Sequence, residues 1–284
     1  MAGNDYGWYP GHMTKSIRAL REELKLVDLC IEVVDARIPL SSRNPDIDEL
    51  AKDKFRLLVL NKADLADEKK TAAWTGYFKD LGIETLVLSA KEKKASDAVK
   101  KASLLVCAEK IERDKKRGIV GRPVRAMVCG IPNVGKSTLI NTITGKSPTK
   151  TGNKPGVTRS NQWVKTNAGF DLLDTPGLLW PKFEDKRIGF KLAAIGSVND
   201  QVINTMQLAG ECVELMNSLY PGVFAKAYGI ETVDSAAECI KNIAEKKGLL
   251  LKGGELDLQK ASDLFLTDLR GGKLGRITLE EPLQ

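Results

Sequence analysis

The feature that most constrains this chain is the glycine-rich stretch GIPNVGKST at residues 130–138. It follows the apolar, β-branched run VRAMVC and precedes the helix-like run TLINTITG. Between a strand and a helix, such glycines let backbone N–H groups wrap around phosphate oxygens, and the lysine adds a positive charge beside them. The match to GxxxxGK[ST] in this context predicts a phosphate-binding loop; the alternative is a glycine-rich turn that binds nothing.

Short apolar runs alternate with helix-like stretches from Val27 to about Asp174. This alternation favours βαβ units around a mostly parallel sheet. The predicted strands end at Asp35, Asn61, Ser89, Gly130 and Asp174. Because ligands collect at the carboxyl ends of parallel strands, we expect these five ends to build one site.

The strand pattern stops after Pro181, and apolar residues then recur three and four positions apart, as in Leu258, Ala261, Leu264, Phe265 and Leu269. This spacing is typical of amphipathic helices. We therefore predict two domains. Residues 1–181 form an α/β domain with a mostly parallel sheet, and residues 182–284 form a small all-helical C-terminal domain.

Composition narrows the class of protein. The formal net charge is +7, made up of +9 over residues 1–181 and −2 over residues 182–284. A basic excess favours a polyanionic partner. The five cysteines are widely spaced, which indicates neither a disulfide framework nor a zinc site. No apolar run reaches the length of a membrane span and the N-terminus does not resemble a secretion signal, so we expect a cytoplasmic protein.

The phosphate loop supplies the first group of candidate site residues. Lys136 would lie between the terminal phosphates, and the hydroxyl of Ser137 would bind Mg²⁺. The remaining predicted nucleotide contacts in this loop are Asn133, Val134, Gly135 and Thr138.

Two segments downstream of the loop complete the predicted phosphate and metal site. In DLLDTPG, Asp174 can hold Mg²⁺ through water, and the N–H of Gly177 can contact the last phosphate. In NKPGVTR, Thr158 is a candidate Mg²⁺ ligand and catalytic residue on a segment that can order with the phosphate. The alternative for that segment is an ordinary mobile turn.

Residues 57–64, LLVLNKAD, predict a guanine-binding segment; the alternative is a plain turn at a strand end. The carboxylate of Asp64 can accept from both N1–H and the 2-amino group of guanine, a pair that adenine lacks, so we expect strong discrimination between the two bases. Asn61 would brace the loop, and the stem of Lys62 would cover the ring. The segment LSAK adds Ser89, Ala90 and Lys91, with a backbone N–H directed at the purine oxygen.

The order of these segments is unusual, because the base-binding segments precede the phosphate loop. A site at a sheet edge tolerates such a rotation provided that each strand still delivers its loop to the same edge. The order NKAD, SAK, GKS, PGVT, DTPG therefore predicts a circularly permuted P-loop GTPase domain that binds GTP and Mg²⁺.

The permuted order, together with WYPGHM, DARIPLSSRNP, GIPNVGKST and DTPG, resembles the YlqF/RbgA family, ribosome biogenesis GTPase A, over nearly the whole chain. The resemblance implies a bacterial factor for late assembly of the large ribosomal subunit, in which GTP hydrolysis accompanies release. It also implies that the C-terminal helical domain contacts ribosomal RNA.

The group that orients the attacking water is not obvious from the sequence. Many GTPases place a glutamine directly after DxxG, and this chain has Leu178 there. His12, the single histidine, is the candidate catalytic residue, and the resemblance points to it as well. The alternatives are a surface histidine near a helix start and one that contacts RNA.

Asn133 suggests a second way in which hydrolysis could be promoted. In GTPases with this asparagine the resemblance implies a bound K⁺, which would add positive charge near the phosphates. The alternative is an asparagine that only braces the turn.

Basic residues are densest between Lys110 and Arg125, and Arg270, Lys273 and Arg276 mark a second basic stretch. Either can contact RNA phosphates, although such runs are more often solvated faces. We favour a GTP-hydrolysing assembly factor for the large subunit precursor and its rRNA, monomeric and without DNA or membrane partners. The alternatives are a GTP-dependent switch whose helical domain binds a protein, and an RNA-binding module with vestigial nucleotide binding.

Overall fold

The computed structural model describes residues 21–145, 162–166, 170–175 and 185–282. These residues form two compact units. One contains the described residues of 21–175 together with 280–282, and the other contains residues 185–279. The first is an α/β unit and the second is helical.

The α/β unit is built on a six-stranded sheet with the order β3-β2-β1-β4-β6-β5. Its strands are β1 (Leu29–Asp35), β2 (Phe55–Asn61), β3 (Thr85–Val87), β4 (Val124–Cys129), β5 (Gln162–Lys165) and β6 (Phe170–Asp174). All neighbouring pairs are parallel except β5 and β6, which are antiparallel. The predicted mostly parallel sheet is confirmed. The antiparallel edge strand β5 was not predicted from the sequence.

Besides the helical residues 21–24, five helices in the described part of this unit connect or flank the strands. They are α1 (Asp46–Leu50), α2 (Glu68–Asp80), α3 (Ala95–Val106), α4 (Ala108–Lys116) and α5 (Lys136–Thr144). The segment from Lys100 to Arg125 contains the end of α3 and the whole of α4, with Cys107 between the two helices.

The central strand β1 is buried at every position, in keeping with its mainly apolar sequence LCIEVVD, and its buried Glu32 forms an ion pair with Arg43. On one side of the sheet, Trp74 and Phe78 of α2 stack with ring centroids 5.6 Å apart and pack against Leu58 and Leu60. This packing fixes α2 against the strand that carries the NKAD segment.

Strand register brings the polar strand ends level with one another. Asp35 at the end of β1 pairs with Asn61 at the end of β2, and Val128 of β4 pairs with Asp174 at the end of β6. The predicted convergence of these ends therefore follows from parallel pairing.

The helical unit contains α6 (Lys186–Ala194), a short 3₁₀ helix (Asp200–Val202), α7 (Thr205–Leu219), α8 (Val223–Tyr228), α9 (Ala236–Lys246) and α10 (Leu258–Gly271). The starts of four α-helices are capped by side chains that accept from backbone N–H groups, namely Asp185, Asn204, Ser235 and Asp257. Its core includes Phe224 and Phe265, with ring centroids 6.0 Å apart. The predicted helical C-terminal region is confirmed.

The last described residues, 280–282, belong to the α/β unit, although the predicted helical domain extends to residue 284. The carboxylate of Glu280 accepts hydrogen bonds from the backbone N–H groups of Leu40 (2.9 Å) and Ser41 (3.1 Å). Its carbonyl oxygen accepts from the indole N–H of Trp74 at 3.3 Å. Residues 280–282 thus belong with the α/β unit. The division of the rest of the chain at residues 181 and 182 stays a prediction.

Two further observations concern the chain as a whole. All five cysteines are buried and free of disulfides. Within the described ranges, no helix combines the length and apolar character that crossing a membrane would require.

Candidate functional site

The loop between β4 and α5 has backbone geometry that only glycine accepts at two positions. Gly130 has φ +142°, and a Cβ placed there would lie 2.3 Å from the carbonyl oxygen of Val33. Gly135 has φ +98°, and its Cβ would lie 2.3 Å from the side-chain nitrogen of Asn61. Both glycines therefore allow a close approach between the predicted phosphate loop and neighbouring strands.

Lys136 begins α5 and is buried, with 6% of its surface exposed. Its ammonium group donates to the carbonyl oxygen of Ile131, 2.9 Å away within the same loop. Burial lowers the pKa of Lys136 to about 8, while the nearby Asp174 and Cys129 oppose this shift. The charge of Lys136 is thus only partly compensated by the protein and favours an added anion.

Asp174, at the end of β6, is fully buried. Neither of its carboxylate oxygens has a hydrogen-bond partner among the described residues. Burial raises the pKa of Asp174 to about 6, and Lys136 opposes that rise. A buried carboxylate in this condition is costly unless a cation or a donor meets it, so its environment fits a metal ligand.

Asn61 joins the phosphate loop to the SAK segment. Its side-chain N–H donates to the carbonyl oxygen of Val134 at 2.7 Å, and its side-chain oxygen accepts from the N–H of Ala90 at 2.8 Å. Thr142 of α5 donates to the carbonyl oxygen of Ala90 at 2.6 Å. Three predicted segments that are distant in sequence are therefore neighbours at one edge of the sheet.

Lys62 makes a second link to the phosphate loop. Its ammonium group donates to the carbonyl oxygen of Asn133 at 2.6 Å and lies 3.0 Å from a carboxylate oxygen of Asp35. Asp35 also forms a buried ion pair with Arg37, with nitrogen to oxygen distances of 2.8 and 2.9 Å. The NKAD segment and the predicted phosphate loop are thus in direct contact.

The other predicted base contacts differ in exposure. Asp64 and Lys91 are exposed, whereas Ser89 and Ala90 are buried. An exposed carboxylate beside the fixed side chain of Lys62 remains accessible to a ligand. Ser89 and Ala90 are the two residues proposed to present an N–H to the purine oxygen. The N–H of Ala90 already donates to the side-chain oxygen of Asn61.

The remaining phosphate-loop residues lie at the start of α5 and in the preceding turn. Val134 is buried, and Asn133, Ser137 and Thr138 are partly buried. Asn133 adopts φ +62°, an uncommon conformation for a residue other than glycine.

Three predicted site residues lie outside the described residues: His12, Thr158 and Gly177. Their roles stay predictions.

In the sequence, Asp35 is one of the five predicted strand ends, and Arg37 follows it in DARIPLSSRNP. The structure shows that both side chains are buried, with exposures of 0% and 2%, and that Asp35 contacts Lys62 directly. The available signal was the polar DAR at the end of the mainly apolar strand β1. Its partner could not be read from the sequence, because the pairing of β1 with β2 brings the two residues together.

Several residues of the predicted basic stretches are engaged inside the protein. Lys110 is buried and pairs with Asp114 at 2.8 Å. Arg270 donates to both carboxylate oxygens of Asp200, at 2.7 and 2.8 Å, and to backbone carbonyl groups at the end of α6. Lys110 and Arg270 therefore stabilise the fold, which corrects their proposed availability to RNA phosphates.

Comparison with known proteins agrees with this geometry. Residues 125–247 match the family model described as 50S ribosome-binding GTPase. The Bacillus cereus protein named ribosome biogenesis GTPase A is 44% identical over 276 residues, covering 97% of this chain and 93% of that protein. The Thermotoga maritima protein of the same name is 34% identical, with 97% and 94% coverage.

The solved structure of GNP-bound YlqF from T. maritima is 30% identical, with a TM-score of 0.67 and coverage of 94% of this chain and 98% of that chain. A GDP-bound YlqF structure is 31% identical with the same TM-score, covering 93% and 99%. Given such similarity over almost its full length, the chain belongs to the ribosome biogenesis GTPase A family and is a GTP-hydrolysing enzyme.

Proposed function

We propose that this protein binds GTP with Mg²⁺ at the carboxyl edge of its parallel sheet and hydrolyses it during late assembly of the large ribosomal subunit, with hydrolysis coupled to release. The main support for the nucleotide site is the pair of hydrogen bonds made by the side chain of Asn61. These bonds join the phosphate loop to the SAK segment. One nucleotide can then contact all of these segments at once.

For the base, the proposed contacts are the carboxylate of Asp64, the stem of Lys62 over the ring and the SAK backbone. The exposure of Asp64 and the fixed ammonium group of Lys62 support this arrangement. Adenine would leave the carboxylate of Asp64 without its two donors, which is the physical basis of the expected selectivity for guanine.

For the phosphates, the proposed contacts are Lys136 and the backbone of residues 133–138. Ser137 and Asp174 would hold Mg²⁺, together with Thr158. The described residues contain no group of three or more histidine, cysteine or acidic side chains that could hold a metal. Mg²⁺ is usually bound by one or two protein ligands plus phosphate oxygens and water, which matches the few protein ligands proposed here. When bound, Mg²⁺ neutralises charge on the phosphate oxygens.

The proposal for hydrolysis assigns water orientation to His12, because Leu178 has no group that can accept a proton or a hydrogen bond. Asn133 is the proposed K⁺ ligand, and Gly177 is the proposed sensor of the last phosphate. We also interpret the position of the NKAD and SAK strands before the phosphate-loop strand as a circular permutation of the G domain, supported by the sheet order.

The ribosomal part of the proposal rests on the names of the relatives, which are ribosome biogenesis GTPases. The net charge of +9 over residues 1–181 suits a polyanionic partner. Since Lys110 and Arg270 are engaged internally, contacts with rRNA would use other basic residues or RNA shape.

The experiment is sedimentation of the protein with large-subunit precursors, with GTP, with a non-hydrolysable analogue and with GDP. We expect co-migration with the analogue and loss of co-migration with GDP. Co-migration that is indifferent to the nucleotide would favour an RNA-binding module. Absence of co-migration in every condition would favour the alternative, a GTP-dependent switch that binds a protein partner.

A further inference from the structure

The carboxylate of Asp35 lies at the junction of two basic side chains, although its surface is completely buried. One oxygen accepts from the backbone N–H of Arg37 at 3.1 Å and from its guanidinium group at 2.9 Å. The other accepts from the same guanidinium group at 2.8 Å and lies 3.0 Å from the ammonium group of Lys62. Arg37 thus fixes the carboxylate, and the fixed carboxylate holds Lys62.

Lys62 needs such an anchor if its stem is to cover a base. A lysine side chain is a flexible four-carbon stem that loses considerable rotamer entropy when it is immobilised. Here its ammonium group is held at two points, by the carboxylate of Asp35 and by the carbonyl oxygen of Asn133. A side chain fixed before the ligand arrives costs less entropy to order on binding.

We propose that Asp35 is a positioning residue for guanine-nucleotide binding, which acts by holding the side chain of Lys62 in place. This inference rests on the proposed function, in which Lys62 covers the base. Both carboxylate oxygens of Asp35 are already engaged by Arg37 and Lys62. Its effect on affinity therefore passes entirely through Lys62.

Electrostatics agrees with this role. Burial acts to raise the pKa of Asp35, but Arg37 and Lys62 outweigh it and hold the pKa well below its usual range. The carboxylate is thus ionised throughout the range in which the enzyme would work. It presents Lys62 with a permanent negative charge.

The test is a double-mutant cycle on GDP affinity between Asp35→Asn and Lys62→Met. Asparagine keeps the shape of the side chain but removes its charge. We expect each single variant to weaken GDP binding about tenfold, as for loss of one charge-assisted hydrogen bond. In the Lys62→Met background, Asp35→Asn should have almost no further effect on the dissociation constant.

Ser42→Ala is the matched control. The Ser42 hydroxyl accepts from the N–H of Asp35 at 3.0 Å and donates to the carbonyl oxygen of Ile38 at 2.6 Å, without touching the carboxylate. This variant should lower thermal stability but leave GDP affinity within about twofold, because it loosens the same loop and spares Lys62. An equal loss of affinity in Ser42→Ala would show a general structural effect and overturn the inference.

Asp35→Asn leaves the buried charge of Arg37 without its partner and can prevent folding. In that case the cycle is repeated with Asp35→Glu, which keeps a charged partner for Arg37 but displaces the carboxylate from Lys62 by one methylene. Additive effects of the changes at residues 35 and 62 in either cycle would overturn the positioning role. If Lys62→Met alone leaves GDP affinity unchanged, the proposed base contact is wrong and the inference fails with it. A loss with Lys62→Met and none with Asp35→Asn refutes the inference alone.

Discussion

The ammonium nitrogen of Lys62 lies 2.6 Å from the carbonyl oxygen of Asn133, a residue 71 positions away in the sequence. In the part of the chain that the structure describes, these two are also the only residues other than glycine with positive φ, at 59° and 62°. Such conformations carry strain that surrounding contacts must support. The NKAD segment and the predicted phosphate loop are therefore joined by a hydrogen bond between two residues that both have an unusual backbone conformation.

This relationship makes Asn133 a test of the proposed K⁺ site. Asn133→Gly keeps the left-handed backbone without a side chain, whereas Asn133→Ala adds about 1 kcal/mol of strain. If the side chain binds K⁺, stimulation of turnover by KCl over NaCl at equal ionic strength should disappear in both variants. Equal wild-type rates in the two salts would contradict the site, and a loss confined to Asn133→Ala would implicate the backbone alone.

Asn61→Ala should damage both stability and nucleotide binding. The variant leaves the N–H of Ala90 and the carbonyl oxygen of Val134 without their partner, and each such buried group costs about 1–3 kcal/mol. We expect a loss of about 2–4 kcal/mol in the free energy of urea unfolding and at least a tenfold loss in GDP affinity. Asn204→Ala, which removes the cap of α7, is the control: it should cost about 1 kcal/mol and leave GDP affinity unchanged.

The C-terminal residues provide a matched pair of variants. Glu280→Ala removes the acceptor for the N–H groups of Leu40 and Ser41 and should lower the unfolding free energy of the α/β unit by about 1–3 kcal/mol. Glu281→Ala removes an ion pair with Lys70 at 3.0 Å in which the glutamate is 68% exposed, and it should cost well under 1 kcal/mol. Similar denaturation midpoints for the two variants would show that residue 280 does not fix this segment.

The buried ammonium group of Lys136 should make the unfolding free energy of the ligand-free protein depend on pH. Its pKa is lowered to about 8 in the folded state, so the unfolded state binds more protons between that value and its ordinary pKa. The unfolding free energy contributed by this group therefore rises with pH, by about 1–2 kcal/mol between pH 7.5 and 9.5. Urea denaturation across this range should show that rise in the wild type relative to Lys136→Met. Parallel pH profiles would contradict the burial of an uncompensated charge.

If His12 orients the attacking water, its substitution should change turnover without changing GTP binding. His12→Ala should lower kcat on the ribosomal particle about a hundredfold or more, the scale of a lost general base, while GTP affinity stays near that of the wild type. Single-turnover hydrolysis with saturating precursor particles is the measurement. Unchanged turnover would remove His12 from the mechanism and leave the catalytic group to be supplied by the partner.

The sequence alone determined the outline of the fold and predicted most residues of the proposed nucleotide site. Lys136, Asn61 and Asp174 were predicted because mainly apolar runs that end in polar residues signal buried parallel strands, whose ends must meet at one edge. This local rule holds because a parallel strand covered on both faces is mostly apolar, although β1 also holds Glu32, which forms an ion pair with Arg43.

Only the tertiary structure decided which of those residues touch and which basic side chains are engaged. The contacts of Asp35 with Lys62, of Glu280 with Leu40 and of Arg270 with Asp200 join residues 27, 240 and 70 positions apart. The first depends on strand register, and the others depend on how the chain returns to its own surface. No local pattern encodes such pairs, because each side chain gains its partner only when distant segments pack and exclude water.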